Sequence, residues 1–228
     1  MANTENVSLT SILRKHRRAQ ADIAKIYSAD TLRLKGETEQ QGQTYRFTLY
    51  KKSPNLLRYE IDYKERSFVI IYDGSHGYYW SPDESDRPVE VAGGAQEMLL
   101  QHEASFDGVL LGASALGYRT ELQGSTDLPD QPNPVFHILL YGAKHGGLID
   151  VYIDSSTYLE VQRSFRPSEN DPPLVTRFGD YRRVEGFMIP FKIENTYEGK
   201  LLSQTRVLEA DLNAGILGFF FELPKAKR

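Results

Sequence analysis

From Thr31 onward most of the chain alternates apolar and polar residues, and this period of two constrains the fold more than any other feature. Alternation places successive side chains of an extended strand on opposite faces, one toward a core and one toward solvent. Turn signals such as Asp73-Gly74, Glu185-Gly186 and Glu198-Gly199 separate the alternating segments at short intervals. The pattern predicts an antiparallel meander of about eleven strands.

Two segments replace this alternation with the spacing of amphipathic helices. The first runs from about Ser8 to Tyr27 (8–27), and its apolar stripe consists of Leu9, Ile12, His16, Ala19, Ile23 and Ile26. The second, over about 95–116, reads as two short helices, with Asp107 as a candidate N-cap of the second one. A loop rich in Pro, Asp and Glu precedes it at 81–94, so the sheet is predicted over about 31–81 and 118–221.

A sheet of this size with one apolar face has to close on itself or be covered. We therefore predict one domain, 1–228, of mainly β class: an incomplete antiparallel β-barrel, strongly curved, lidded by the N-terminal helix and the two inserted helices. Three short helices do not fill so wide a sheet, which predicts an apolar cavity between the layers. The periodicity assigns the following side chains to its wall: Phe47, Leu49, Tyr59, Ile61, Ile70, Tyr72, Met98, Leu99, Leu110, Leu111, Leu139 and Tyr141.

Composition excludes several functional classes. The 228 residues carry a net charge of −4, which argues against a nucleic-acid binder. Cysteine is absent, which excludes disulfides, thiolate metal sites and cysteine nucleophiles. Met1–Glu5 shows no basic segment followed by an apolar one, the pattern typical of an export signal.

The sequence shows no assembled catalytic constellation. The five histidines have no metal-ligand spacing, and neither a nucleophile elbow nor a phosphate-binding glycine loop occurs. His16 and His102 fall on apolar helix faces, where a buried, hydrogen-bonded histidine is expected. Asp150 and Asp154 share one strand face on either side of Tyr152. These observations favour a binding protein over an enzyme, with neither cofactor nor metal.

Two segments resemble the bacterial LolA and LolB-like lipoprotein carriers. The first spans Tyr45–Pro82 and contains Lys51-Lys52, Pro54-Asn55-Leu56, Arg58, Glu60, Val69–Gly74 and Gly77–Trp80. The second, Phe219–Pro224, is similar to the closing motif of that family. The resemblance implies an unclosed barrel lidded by helices, whose cavity holds acyl chains of a lipoprotein or lipid. In these carriers an arginine before the Pro-Asn turn latches the lid, and this chain has Ser53 there.

The resemblance further implies a monomeric carrier of the periplasm or cell envelope that moves its cargo toward the outer membrane. Inner-membrane donor and outer-membrane acceptor proteins would be its partners, with no nucleic acid involved. Two alternatives remain open at this point. One is a structural or interaction module of the cell envelope with a solid core, and the other is a hydrolase using Asp150, Asp154 or His137.

Overall fold

The computed structural model describes residues 7–22, 28–85, 87–142 and 146–223. Its α-helices are α1 (Leu9–Gln20), α2 (Ala95–Ala104) and α3 (Gly108–Leu111). Its strands are β1 (Thr31–Gln40), β2 (Gln43–Lys52), β3 (Leu56–Tyr63), β4 (Arg66–Tyr72), β5 (Gly77–Trp80), β6 (Val89–Glu90), β7 (Arg119–Thr126), β8 (Val135–Tyr141), β9 (Leu148–Asp154), β10 (Glu160–Arg166), β11 (Leu174–Val184), β12 (Phe187–Tyr197) and β13 (Lys200–Leu212). A 3₁₀ helix covers Gly218–Phe221.

The strands described here form one 13-stranded antiparallel sheet in the order β6-β5-β4-β3-β2-β1-β13-β12-β11-β10-β9-β8-β7. Strand β1 pairs with β13 in the middle of the sheet, and β6 and β7 are its two edges. Because these edges do not pair with each other, the sheet is an unclosed barrel, and the predicted fold class is confirmed. The chain passes from one edge to the other through α2 and α3, which places these helices across the opening.

The sheet differs from the prediction at two places. The segment predicted as a loop over 81–94 contributes the two-residue edge strand β6, which raises the strand count above about eleven. The sheet was also predicted to continue to residue 221, but its last strand ends at Leu212. The apolar run that follows forms the 3₁₀ helix, and Phe220 packs its ring on Tyr50 at 4.8 Å between centroids. This run therefore packs on Tyr50 of β2 instead of adding a strand.

Helix α1 docks through two buried side chains. Its N-terminus is capped by Ser8, whose hydroxyl accepts a hydrogen bond from the Ser11 amide at 3.3 Å. One turn apart on the same face, Ile12 and His16 are buried. The helix begins where the apolar stripe predicts.

The predicted end of this helix at Tyr27 is wrong. The backbone of Ala21 is already extended and forms an antiparallel bridge with Phe187. The next amide, that of Asp22, donates to the carbonyl oxygen of Gly186 at 3.0 Å. The amide of Ala21 still donates to the carbonyl oxygen of Arg17, and pairing with the start of β12 replaces helical hydrogen bonding at Asp22. Residues 23–27, including the predicted stripe positions Ile23 and Ile26, lie outside the described residues.

The second inserted helix is shorter than the predicted segment. Helix α3 ends at Leu111, and the residues up to Gly117 form turns. Gly112 and Gly117 are poor helix formers, and Gly117 has a positive φ of 82°. Asp107 occupies the N-cap position of α3, as predicted, but its side chain makes no capping hydrogen bond.

The buried side chains form two separate clusters. The first packs the three α-helices on β8–β10 and includes the fully buried Ile12, Val109 and Ile138. The second lies on β1–β4, β12 and β13 and reaches Ala104 at the end of α2. Both clusters occupy the face of the sheet that carries the helices, which we call the inner face. The space between them is the candidate site.

Candidate functional site: a cavity between sheet and helices

A cavity of ≈ 580 Å³ lies between the two buried clusters. This volume is within the range of protein sites that hold small ligands. One wall consists of residues of β1–β5, the opposite wall of residues of β10–β12, and α2 and α3 supply the cover. The C-terminal end of α1 completes the lining with Arg17 and Gln20.

An apolar row crosses the β1–β5 wall. Its members are direct cross-strand neighbours: Leu34 pairs with Leu49, Leu49 with Tyr59, Tyr59 with Ile70, and Ile70 with Tyr79. Strand pairing in register aligns these side chains into one continuous strip. Leu34 and Leu49 are buried, whereas Tyr79 is 40% exposed, so the strip leads from the interior to the surface.

The helical cover is tied to the sheet at the β2–β3 turn. The amide of Phe106, in the connection between α2 and α3, donates to the carbonyl oxygen of Pro54 at 3.0 Å. The Nζ atom of Lys51 lies 3.3 Å from Oε1 of Glu103 and 3.5 Å from the carbonyl oxygen of Ser105. One end of the cover is therefore held by polar contacts that release of the helices would break.

The opposite wall contains a buried ion pair. In a side-on fork, Nε and Nη2 of Arg163 donate to Oε1 and Oε2 of Glu160 at 2.7 and 3.1 Å. The Tyr181 hydroxyl donates to the carbonyl oxygen of Glu160 at 2.7 Å and fixes the backbone at the β10 bulge. Burial opposes the charged form of Arg163, and the carboxylate of Glu160 offsets this, so the pKa of the guanidinium is raised. The cavity thus has one apolar wall and one wall with a fixed charge pair.

The two buried histidines are structural, as the sequence indicated. The Nδ1 atom of His16 lies 2.7 Å from the carbonyl oxygen of Tyr158, and burial lowers the pKa of His16. In α2, Nε2 of His102 lies 2.9 Å from the Tyr118 hydroxyl, and burial lowers the pKa of His102 to about 3. Both rings are therefore neutral near pH 7 and help to dock the helices.

The predicted wall residues fall into three groups. The cavity is lined by Leu49, Tyr59, Ile70, Leu99 and Leu111. The inner-face packing beside the cavity contains Phe47, Tyr72, Met98 and Leu110, and Ile61 pairs with Phe47 one row farther along β3. The third group, Leu139 and Tyr141, lies on the outer face. For this group the predicted face is wrong, because the fully buried Ile138 and Leu140 occupy the inner face of β8 and a one-residue shift exchanges the faces.

Sequence reasoning missed the whole wall formed by β10–β12. Because alternation places the polar positions of a strand toward solvent, it does not indicate that Arg163 lines the cavity. A signal was present nonetheless: Arg163 and Phe165 are two residues apart and therefore share a face, and Phe165 is buried. On β11, Thr176 and Phe178 are also two residues apart and share a face, and both line the cavity.

The carboxylates considered for catalysis do not form a shared site. Asp150 accepts from Nη2 of Arg166 at 2.9 Å and lies 2.8 Å from Nε2 of His137, on the outer face. Asp154 instead accepts the amides of its own turn, including that of Thr157. Hydrogen bonds lower the pKa of Asp154 although burial opposes this. Within the described ranges, no three His, Asp or Glu side chains gather in a group able to hold a metal ion.

The fold has close counterparts among solved structures. A LolA superfamily protein from Nitrosomonas europaea aligns with a TM-score of 0.66 at 15% identity, over 95% of this chain and 98% of that one. A putative outer membrane lipoprotein-sorting protein domain from Vibrio parahaemolyticus gives 0.65 at 11% identity, covering 92% and 94%. A DUF1329 family protein from Desulfovibrio piger gives 0.66 at 12% identity, covering 94% and 97%.

The chain has the LolA-like fold. The resemblance indicated by Tyr45–Pro82 is thereby confirmed at the level of structure, although Pro224 of the closing motif lies outside the described residues. No family model and no curated protein matches the chain, so the likeness is one of fold.

Within this LolA-like fold, the lid contact comes from a residue other than the one the family pattern indicates. The position of the expected arginine is Ser53, and Lys51 on the same strand end reaches Glu103 and the Ser105 carbonyl. Lysine lacks the planar guanidinium group of arginine, so Lys51 contacts the α2–α3 connection through a single ammonium group. Among the helices of the described ranges, none has both the length and the apolar character needed to cross a bilayer.

Proposed function

We propose that this chain is a non-enzymatic carrier that holds acyl chains of a lipoprotein or lipid in the cavity between sheet and helices. The observation that carries the proposal is the apolar strip from Leu34 to Tyr79, because it offers a continuous hydrocarbon surface between the interior and solvent. Burying an acyl chain contributes about 0.8 kcal/mol per methylene, which is enough to carry a lipid through water. The LolA-like fold supports the same role, since one of its similar structures is described as a putative lipoprotein-sorting domain.

The proposed setting is the periplasm, with transfer toward the outer membrane. A monomer would receive its cargo from an inner-membrane donor protein and deliver it to an outer-membrane acceptor. The contacts of Lys51 would keep the α2–α3 connection closed during transit, and opening would expose the apolar strip.

A matched pair of variants tests the proposal. Ile70 lines the cavity and Leu139 lies on the outer face, and both are half-buried aliphatic residues of the sheet. Displacement of a fluorescent fatty acid should show binding to the wild type and to Leu139→Glu. Ile70→Glu should bind at least about tenfold more weakly, because a carboxylate against hydrocarbon is poorly solvated.

Native mass spectrometry of protein purified from bacterial envelopes should in parallel show a bound lipid. The proposal is wrong if the wild type binds no acyl chain, or if both Glu variants bind as the wild type does. Circular dichroism of the three proteins confirms that they are equally folded.

A further inference from the structure

The buried Arg163–Glu160 pair in the cavity wall restricts which ligands can bind there. Arg163 and Glu160 have side-chain exposures of 19% and 8%, and both line the cavity. Covering such a pair with hydrocarbon alone removes its remaining water and leaves polar N–H groups without a hydrogen-bond partner, which is unfavourable. A bare hydrocarbon is therefore a poor occupant of this side of the cavity.

The guanidinium retains free donors. Of its five N–H groups, one on Nε and one on Nη2 donate to Glu160. In the described part of the chain no acceptor is hydrogen-bonded to Nη1. The guanidinium carbon lies over the ring of Phe178, 5.3 Å from its centroid, which is a cation–π contact. These donors are fixed on a cavity wall.

The pair is also held by its surroundings. The hydrogen bond from Tyr181 anchors the Glu160 backbone, and the second oxygen of the Glu160 carboxylate completes the fork on Arg163. The other ion pair at the cavity joins Lys51 to Glu103, so Lys51 and Arg163 both have a carboxylate partner. Arg17, at the end of α1, also lines the cavity and makes no ion pair within the described residues. What the site lacks is an acceptor for the outer N–H groups of Arg163.

We propose that the cavity binds an amphiphile whose head-group oxygen accepts a hydrogen bond from the outer N–H groups of Arg163, while its chain lies on the apolar strip. A carboxylate, phosphate or ester carbonyl supplies such an oxygen. This inference rests on the proposed carrier function and specifies which end of the ligand each wall receives.

Three ligands with the same chain separate the contributions: dodecanoate, methyl dodecanoate and dodecane. The double variant Glu160→Gln/Arg163→Met removes both charges together, so no lone buried charge remains. For each oxygen-bearing ligand we define the affinity ratio as its affinity divided by that of dodecane. This ratio should be about tenfold or more higher in the wild type than in the double variant. The exposed pair Arg66–Glu84 provides the control Arg66→Met/Glu84→Gln, which should leave the ratio unchanged.

The second variant, Arg163→Lys, keeps the charge but loses the fork, and it should also reduce the ratio. Arg163→Lys is used for the test if circular dichroism shows that the double variant is not folded. A reduced ratio for dodecanoate alone assigns an anionic head group, and a reduced ratio for both ligands assigns any oxygen acceptor. The inference is overturned if the affinities of dodecanoate and methyl dodecanoate relative to dodecane are the same in the wild type and in the variants. If none of the three ligands binds to the wild type, the carrier function itself is overturned, so the two failures are distinguishable.

Discussion

The length of the apolar strip predicts how affinity depends on the length of the acyl chain. The strip from Leu34 to Tyr79 crosses five neighbouring strands, and with strands about 4.8 Å apart it is about 19 Å long. An extended chain advances about 3.5 Å for every three bonds, so about 16 carbons cover this distance. Chains up to this length gain contact with each added methylene, and longer ones project into solvent at Tyr79.

The expected magnitude follows from the methylene contribution. Each buried methylene adds about 0.8 kcal/mol, which is about a fourfold gain in affinity. Four further methylenes, from octanoate to dodecanoate, should therefore increase the affinity about 200-fold. The curve should level off near hexadecanoate.

Competition against a fluorescent fatty acid measures this series, with each ligand kept below its critical micelle concentration. The Ile70→Glu variant interrupts the strip near Tyr79 and should level off at a shorter chain. Affinities that do not change with chain length would show that the acyl chain does not lie along the strip. A steady increase well beyond hexadecanoate would also contradict this placement, because the strip would then not define the bound length.

Two further predictions concern the cover and its buried histidine. Lys51→Met removes the contacts with Glu103 and the Ser105 carbonyl, which should destabilise the closed position of the α2–α3 connection by about 1 kcal/mol. A bound fluorescent fatty acid should then be released about fivefold faster in stopped-flow measurements. His102, hydrogen-bonded to Tyr118, has its pKa lowered to about 3 from 6.5 by burial, so its stabilising effect is complete above pH 6.5 and decreases as the pH falls toward 3. Between pH 7.5 and pH 5 His102 should therefore contribute a loss of about 2 kcal/mol to the free energy of unfolding in urea, in addition to that of the buried His16, and His102→Gln should remove the His102 part.

Each of these has a matched control. Lys52 is adjacent to Lys51 but pairs with Asp30 instead of the helical cover, so Lys52→Met should release the ligand at the wild-type rate. His76 is exposed, and His76→Gln should keep the full pH dependence. Equal release rates for the two lysine variants would refute the role of Lys51. Equal pH dependence of wild type and His102→Gln would refute the assignment to His102.

Much of the architecture was predictable because it depends on local patterns. Alternation located most strands and the helical spacing located α1 and α2, since a half-buried strand or helix needs its apolar residues on one face. The end of α1 was not predictable, because pairing of Ala21 with Phe187 is a contact between distant parts of the chain. Nor was the outward direction of Leu139, since the apolar neighbours Ile138 and Leu140 on either side leave the face of β8 undetermined by alternation.

The site itself was half predictable. The β2–β4 wall follows from alternation, and Leu49, Tyr59 and Ile70 all line the cavity. The β10–β12 wall depends on how the sheet curves and on the bulge at Glu160, which periodicity does not contain. Arg163 therefore points inward against the expectation for a charged strand residue.

The most direct test of the account is to locate a bound acyl chain inside the protein. A fatty acid with a nitroxide on its chain broadens the methyl NMR signals of nearby residues. We expect selective broadening of Leu49, Ile70 and Leu111, which line the cavity, while Leu139 on the outer face keeps its signal. Broadening of Leu139 in place of these three, or no selective broadening at all, would contradict the placement of the chain between sheet and helices.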